Sequence, residues 1–169
     1  MDALEAILSR RSIRKYKPTP IPENTVHELI NAAMHAPSAG DKHPCHFVVV
    51  TSRKILDQIP SFHEYSNMVK EAPLAVFVCG DTQTENSSGM WIQDCSAATE
   101  NLLIAANAKG LGSVWLGVYP LEGRINGCRK LLGLPDSVLP LCIVVIGHAG
   151  EHKPPVNRFN AGKLHWDKW

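Results

Sequence analysis

The stretch WIQDCSAATENLLIAANA, residues 91–108, decides the fold of this chain. It is rich in alanine and leucine, contains neither glycine nor proline, and is apolar around nearly its whole circumference. A helix that is apolar on all sides is buried on all sides. The sequence therefore predicts a central buried helix over these residues, with Gly110 as its natural end.

Helical and strand patterns alternate on both sides of this helix. Apolar spacing predicts helices over residues 2–9, from Pro22 to the stop at Pro37, over 52–59 and over 121–132. Apolar and β-branched runs predict strands over residues 47–51, 74–79, 113–118 and 142–146. The second helix should bury one stripe, formed by Val26, Leu29, Ile30, Ala33 and Met34.

This alternation leaves two architectures open. A doubly wound, flavodoxin-like α/β sheet covered on both faces is the default for alternating elements. A helical pair before the first strand and a long apolar helix in mid-chain fit an α+β layered fold with a central helix at least as well.

Length and charge bound the class of protein. The chain has 169 residues and a formal net charge of +1, with 17 Lys+Arg against 16 Asp+Glu. The length fits one domain, residues 1–169. The near-neutral charge argues against a nucleic-acid binder, and the absence of an apolar run of ~20 residues argues against a membrane span.

Five cysteines are scattered along the chain without a Cys-x-x-Cys pair: Cys45, Cys79, Cys95, Cys128 and Cys142. Their odd number, and the apolar surroundings of four of them, favour buried thiols over disulfides. The first residues, Met1 to Glu5, have neither the basic nor the apolar region of a signal peptide. These features predict a reducing, cytoplasmic compartment.

Residues 10–17, RRSIRKYK, concentrate five positive charges without an acid. Arginine binds phosphate in a bidentate manner, and Ser12 could add a hydroxyl bond. A phosphate-bearing ligand and a solvated basic face are both open interpretations. A nucleic-acid surface is disfavoured because Tyr16 is the only aromatic residue in the segment.

Residues 36–47, APSAGDKHPCHF, lead small and turn-forming residues directly into a strand, which lets a planar ligand approach the backbone. A hydrolytic triad of Ser38, Asp41 and His43 is disfavoured because triad members come from separate elements. A metal site at His43, Cys45 and His46 is disfavoured because no distant ligand pair has matching spacing.

Residues 110–117, GLGSVWLG, begin like a dinucleotide-binding fingerprint. Trp115 occupies the third glycine position, and the helix precedes the segment instead of following it, so a Rossmann site is excluded. By itself, Gly117 reads equally well as a strand-end glycine.

The last segment, residues 149–169, has no helical period but is rich in aromatic residues. Phe159, Leu164, Trp166 and Trp169 predict an extended arm that packs on another surface, such as a second subunit. Residues 153–159, KPPVNRF, place basic side chains just after the last strand.

Taken in order, these segments resemble the FMN-dependent nitroreductase family, and the resemblance covers nearly the whole chain. The matching stretches are IxxRRSIRKY at residues 7–16, APSAG at 36–40 with Pro44, DCSAA at 94–98, GLGSVWLG at 110–117 and HWDKW at 165–169. No single motif is decisive, but five in the family's order make a specific match.

The resemblance implies an α+β sandwich over residues 1–169: a single nitroreductase-like FMN-binding domain with a mostly antiparallel central sheet flanked by helices. It also implies an obligate homodimer, with FMN in two interface sites and a C-terminal arm that reaches the partner subunit. The implied activity is NAD(P)H-dependent reduction of nitro-aromatic, quinone-like or related small electron-poor substrates in a ping-pong cycle.

The resemblance also implies cofactor-binding residues in the basic segment. Arg10 and Ser12 would hold the phosphate and ribityl side of FMN, with Arg11 adjacent to them. Arg14 would face the pyrimidine edge of the flavin. No catalytic side chain and no metal is implied, because the flavin carries the chemistry.

Further contacts would come from elsewhere in the dimer. The partner subunit would supply Pro37, Ser38 and Ala39. Gly117 would lie near flavin N5, beside Leu116, and Arg158 or Lys153 would reach the phosphate.

The sequence departs from the family pattern at one segment. The family usually has Asn and then Gln-Pro-Trp where this chain has Asp41 and then His43, Pro44 and Cys45. Asn67 is a candidate for a further polar flavin contact. Two alternatives stay open: the same fold with another flavin task (dehalogenation, enone reduction or flavin breakdown), and a flavin-free module that binds phosphate-rich ligands.

Overall fold

A five-stranded sheet forms the middle layer of the structure, a computed structural model that describes residues 1–169. Its strands are β1 (Tyr16–Lys17), β2 (Cys45–Val50), β3 (Leu74–Asp81), β4 (Gly112–Gly117) and β5 (Val138–Ala149). The long strand β5 pairs with β1, β3 and β4, and β2 pairs with β3. All of these pairs are antiparallel.

The antiparallel pairing confirms the predicted α+β class with a mostly antiparallel sheet. The flavodoxin-like alternative is wrong, because it requires parallel strands joined by crossover connections. Parallel pairing is limited to an isolated bridge between Ser12 and Ser113.

Five α-helices pack around the sheet: α1 (Ala3–Ser9), α2 (Glu23–Met34), α3 (Arg53–Leu56), α4 (Met90–Ala108) and α5 (Glu122–Leu132). Each overlaps a helix predicted from the sequence. Side chains of α2 and α4 share one core with the sheet, and side chains of α3 and α5 share the other. None of the helices combines the length and the apolar composition that crossing a membrane requires.

Strand β3 shows how one sheet fills both cores. Leu74, Val76 and Val78 enter the core with α2 and α4, whereas Ala75 and Phe77 enter the core with α3 and α5. Successive side chains of a strand point to opposite faces. Because both faces are covered, β3 is buried along nearly its whole length.

The predicted central helix is confirmed as α4, and its end is the predicted one. Gly110 follows the last turn with a φ of 73°. Its N–H donates to the carbonyl of Asn107 at 2.9 Å, and the N–H of Leu111 donates to the carbonyl of Ala106 at 2.9 Å. These two bonds form a Schellman motif, whose left-handed residue is adopted by glycine without strain.

Two local expectations are wrong. The strand predicted over residues 142–146 is longer, because β5 begins at Val138 and continues through Pro140. Its register with β3 shifts beside that proline. A bulge tolerates a residue that cannot donate a ladder hydrogen bond. Met34 is 58% exposed instead of buried, because it lies in the last turn of α2 and lines a surface cavity.

The residues after β5, for which the sequence predicts an extended arm, contain a 3₁₀ turn at Ala161–Lys163 as their only regular element. Phe159, Trp166 and Trp169 are 76%, 80% and 101% exposed. Their own chain does not cover them, and the contact of this arm with a partner subunit stays a prediction.

The contact between α4 and β3 generates a stability prediction. A Cβ on Gly80 would lie 2.4 Å from Cε3 of Trp91, so Gly80→Ala should lower the free energy of unfolding by about 1–3 kcal/mol through overpacking. In α5, a Cβ on Gly123 would meet nothing within 4 Å. Gly123→Ala, as the matched control, should be neutral or stabilising by up to ~1 kcal/mol. Urea denaturation measures both changes, and equal stability of the two variants would contradict the packing.

Candidate functional site

The basic segment lies against the chain that leaves β5. Arg11 Nε donates to the carbonyl of Pro154 at 3.1 Å, and Lys153 Nζ donates to the carbonyl of Ser12 at 2.5 Å. The backbone N–H of Arg14 donates to Oε1 of Glu151 at 2.5 Å. The structure thus brings Lys153 together with residues 10–14.

Positive charge is in excess in this cluster. Arg10 pairs with Glu100 on α4 at 3.3 Å, and Lys153 pairs with Glu151 at 3.6 Å. Arg11 and Arg14 form no ion pair; the guanidinium of Arg11 bonds only backbone carbonyls, and the side chain of Arg14 is exposed. Arg11 and Arg14 therefore carry charge that no acid of this chain neutralises, whereas Arg10 would share its guanidinium between Glu100 and an anionic ligand.

The cluster is fixed to the first residues of β4. The N–H of Ile13 donates to the carbonyl of Ser113 at 2.9 Å. A Cβ on Gly112 would lie 2.8 Å from Cγ2 of Ile13, so this close approach needs glycine. The hydroxyl of buried Tyr16 donates to the carbonyl of Ile13 at 2.6 Å, and burial raises the pKa of Tyr16.

Gly117 is the last residue of β4 and is paired with Cys142 of β5. Its carbonyl accepts hydrogen bonds from His63 Nε2 at 3.0 Å and from Arg124 Nη1 at 2.8 Å. A Cβ on Gly117 would meet nothing within 4 Å, so the position is open where a side chain would stand. Leu116, the residue before it, is 5% exposed, and its side chain lies in the core.

The sequence did not predict the roles of His63 and Arg124. His63 is 1% exposed, and its buried Nδ1 has no partner. Burial lowers the pKa of His63, which favours the neutral ring with its proton on Nε2, where the carbonyl of Gly117 accepts it. Arg124 also pairs with Glu64 at 3.3 Å and lies 5.6 Å from the centre of the Tyr65 ring.

The loop of residues 36–41 is fixed by α4 and by its own backbone. The N–H of Ala39 donates to Oδ1 of Asp94 at 3.0 Å, and Ser38 Oγ accepts the backbone N–H of His43 at 2.9 Å. Asp41 and His43 both have left-handed φ angles, 57° and 48°, which are uncommon for residues other than glycine. The His43 ring contacts Asp41 at 2.6 Å and not Ser38, so these side chains form no proton relay.

A cavity of about 400 Å³ opens between this loop and α4. It is lined by apolar residues together with three polar residues and one thiol: Ser38, His43, Asp94 and Cys45. Asp94 is only 5% exposed, and its Oδ2 has no hydrogen-bond partner. The sequence signal for this position is a carboxylate within a helix predicted to be buried, and the sequence assigns Asp94 no role in the site.

Helix α4 separates the loop from the basic cluster. Asp94 holds the loop, Glu100 holds Arg10, and Asn107 donates to the carbonyl of Ala6 in α1 at 2.9 Å. Six residues of helix span about 9 Å. No hydrogen bond or ion pair joins residues 37–39 to residues 10–14 in this chain.

Two predicted site residues stand apart from these groups. Arg158 is exposed and forms neither an ion pair nor a side-chain hydrogen bond. Asn67 is exposed at the start of a 3₁₀ turn, Asn67–Lys70. Any contact of either residue with a cofactor stays a prediction.

The amino-acid sequence of this chain is similar to those of known proteins. A model of the nitroreductase family matches residues 7–64 and 61–148. A relative from Methanothermobacter thermautotrophicus, provisionally described as an NADH dehydrogenase/NAD(P)H nitroreductase, is 46% identical over 169 residues. That match covers 100% of this chain and 88% of the relative.

Solved structures give the same result. A protein from Parabacteroides distasonis with the same provisional description has a TM-score of 0.95 and 44% identity, over 99% of this chain and 98% of that one. A nitroreductase-like protein from Desulfovibrio desulfuricans, solved in complex with FMN, has a TM-score of 0.86 and 28% identity. That match covers 100% of this chain and 98% of the other.

Burial of His63 generates a prediction about pH. Because the pKa of His63 is lower in the folded than in the unfolded chain, its contribution is fully present above the unfolded pKa of ~6.5 and is lost as pH falls below it. This one group adds a slope of up to about 1.4 kcal/mol per pH unit. His63→Gln should flatten the dependence of unfolding free energy on pH, whereas His27→Gln, at an exposed position, should keep the wild-type slope. An unchanged slope in His63→Gln would contradict a neutral buried ring.

Proposed function

This chain belongs to the nitroreductase family, and on that premise we propose that it is an NAD(P)H-dependent oxidoreductase with bound FMN. Its substrates are nitro-aromatic, quinone-like or related small electron-poor molecules. The names of the relative from M. thermautotrophicus and the FMN complex of the D. desulfuricans protein support this proposal. The free thiols of all five cysteines support a reducing, cytoplasmic setting.

One observation carries the proposal: the start of β4 lies beside positive charge, which suits a phosphate, and its end lies beside open space, which suits a planar ring. Cations surround the start of the strand, where Ser12 bridges Ser113, and open space lies beside Gly117 at its end. Three residues separate Ser113 from Gly117, so the four residue steps from one to the other span about 13 Å of extended strand. FMN carries a phosphate at one end and a planar ring at the other, so the donor set fits it.

The residues present suggest how FMN is held. Arg10, Arg11, Ser12 and Lys153 hold the phosphate and the ribityl side, and Arg158 adds a contact to the phosphate. Arg14 would face the pyrimidine edge of the ring, and the backbone of Leu116 and Gly117 would lie near its reactive centre. When bound, FMN supplies the hydride chemistry of a ping-pong cycle, for which side chains have no equivalent.

The chain's own residues contribute position and charge. His63 and Arg124 fix the carbonyl of Gly117 and so orient the peptide that follows it. The unpaired guanidinium of Arg14 places a cation where negative charge develops on reduction. No acid or base among the described residues needs to act in the proposed reaction.

A homodimer completes the proposed site. Pro37, Ser38 and Ala39 of the partner subunit close it, which accounts for the distance between the loop and the cations within one chain. The exposed aromatic arm and the exposed leucines of α1, Leu4 at 70% and Leu8 at 71%, are apolar surface suited to such an interface. The proposed functional unit is thus one FMN-binding domain, residues 1–169, in two copies.

Titration of flavin-free protein with FMN tests the cofactor assignment. The wild type should bind FMN, and Arg10→Ala should weaken binding about 10- to 100-fold, because a charge-assisted bond contributes about 1.5–3 kcal/mol. Lys17→Ala removes a charge from the same segment at an exposed position without an ion pair and should change affinity little. Equal effects of the two variants would mean that net charge, and not the Arg10 position, sets the affinity.

Redox titration tests the position of Arg14. A cation at the pyrimidine edge stabilises reduced flavin more than oxidised flavin, whereas a phosphate contact holds both equally. Loss of about 1–3 kcal/mol of this preference in Arg14→Ala should lower the midpoint potential by about 20–65 mV. Arg14→Lys should lie between the two, since charge persists without the planar fork. Weaker FMN binding of Arg14→Ala with an unchanged midpoint potential would contradict a position of Arg14 beside the ring.

A further inference from the structure

Cys45 and Cys95 form a close thiol pair beside the loop of residues 36–41. Their Sγ atoms are 3.0 Å apart, about 1 Å more than the length of a disulfide bond. Cys45 is the first residue of β2, and Cys95 lies on α4 directly after Asp94. Both are free thiols in the structure.

The two thiols have different access to solvent. Cys45 is half-buried and lines the cavity of about 400 Å³, whereas Cys95 is fully buried. A hydrogen bond from Cys95 lowers the pKa of Cys45, and the same contact raises the pKa of Cys95. Cys45 is therefore the accessible nucleophile, and Cys95 is the buried proton donor behind it.

The other three cysteines have no such partner. Burial raises the pKa of both Cys79 and Cys128 to about 12, which leaves them as inert thiols. Cys142 is fully buried, and its Sγ lies 3.5 Å from the hydroxyl of Thr99. No second pair of sulfur atoms lies within hydrogen-bond distance, so any dithiol chemistry is confined to Cys45 and Cys95.

We propose that Cys45 and Cys95 are a redox-active dithiol that a peroxide converts into an intramolecular disulfide. The Cys45 thiol first loses its proton, and the resulting thiolate attacks one peroxide oxygen. The O–O bond breaks, a sulfenic acid forms on Cys45, and the departing hydroxide takes up the released proton to leave as the first water. The Cys95 sulfur then attacks the Cys45 sulfur, and the hydroxyl leaves as a second water with the Cys95 proton. In balance, two thiols lose two electrons and two protons, and one hydrogen peroxide becomes two waters.

The location of the pair gives this oxidation a structural consequence. A disulfide would tie the first residue of β2 to α4, next to the carboxylate that holds the N–H of Ala39. The loop of residues 36–41 is therefore hydrogen-bonded to Asp94, the residue directly before Cys95. The chemistry requires no bound flavin and no NAD(P)H, so it stands or fails independently of the proposed function.

Thiol counting with intact-mass measurement tests the proposal on the full-length, as-purified protein without NAD(P)H. Hydrogen peroxide at low molar excess should remove two of the five titratable thiols and lower the mass by two hydrogens, and dithiothreitol should restore both. Peptide mapping without reduction should recover Cys45 joined to Cys95. Cys45→Ser and Cys95→Ser should lose this reversible two-thiol step, and Cys128→Ser, a matched control at another buried cysteine, should keep it.

Three results would overturn the proposal. One is a protein that keeps all its thiols at a peroxide dose that oxidises free glutathione. Another is oxidation of Cys45 to a sulfinic or sulfonic acid while Cys95 stays reduced. The third is a disulfide that joins Cys45 of two chains, visible as a covalent dimer on a non-reducing gel.

Discussion

Burial of α4 against the sheet is the constraint on which the rest of the structure depends. Trp91 packs on Gly80 of the central strand, so the helix begins in contact with the core. Three polar side chains of the helix then hold separate segments: Asp94 the loop, Glu100 the basic segment, and Asn107 helix α1. Spacing along one rigid helix therefore sets how far apart these three segments lie within one chain.

Strand β4 supplies the second axis of the site. Segment 10–14 is fastened to its start, and the His63 and Arg124 side chains fix its last carbonyl at Gly117. The start of β4 thus offers positive charge to a ligand, and its end offers accessible backbone. This combination suits an enzyme with a cofactor, because the protein then supplies position and electrostatics.

Local patterns in the sequence predicted the helices and strands, but they did not predict the contacts between separate segments of the chain. The end of α4 at Gly110 follows from apolar periodicity and a glycine signal, both readable within a few residues. The bonds of His63 and Arg124 to Gly117 cross 54 and 7 residues, and the Cys45–Cys95 contact crosses 50. Such pairings are set by tertiary packing and leave no local pattern. The exposure of Met34 likewise depends on what lies opposite the helix.

We propose above that this member of the nitroreductase family transfers electrons from NAD(P)H through bound FMN. Anaerobic addition of NADH or NADPH to FMN-loaded protein, followed by visible absorbance, tests it most directly. We expect the flavin absorbance to bleach on addition of at least one of the two nucleotides and to return when a quinone is added. An FMN-loaded protein whose absorbance neither nucleotide bleaches would contradict it.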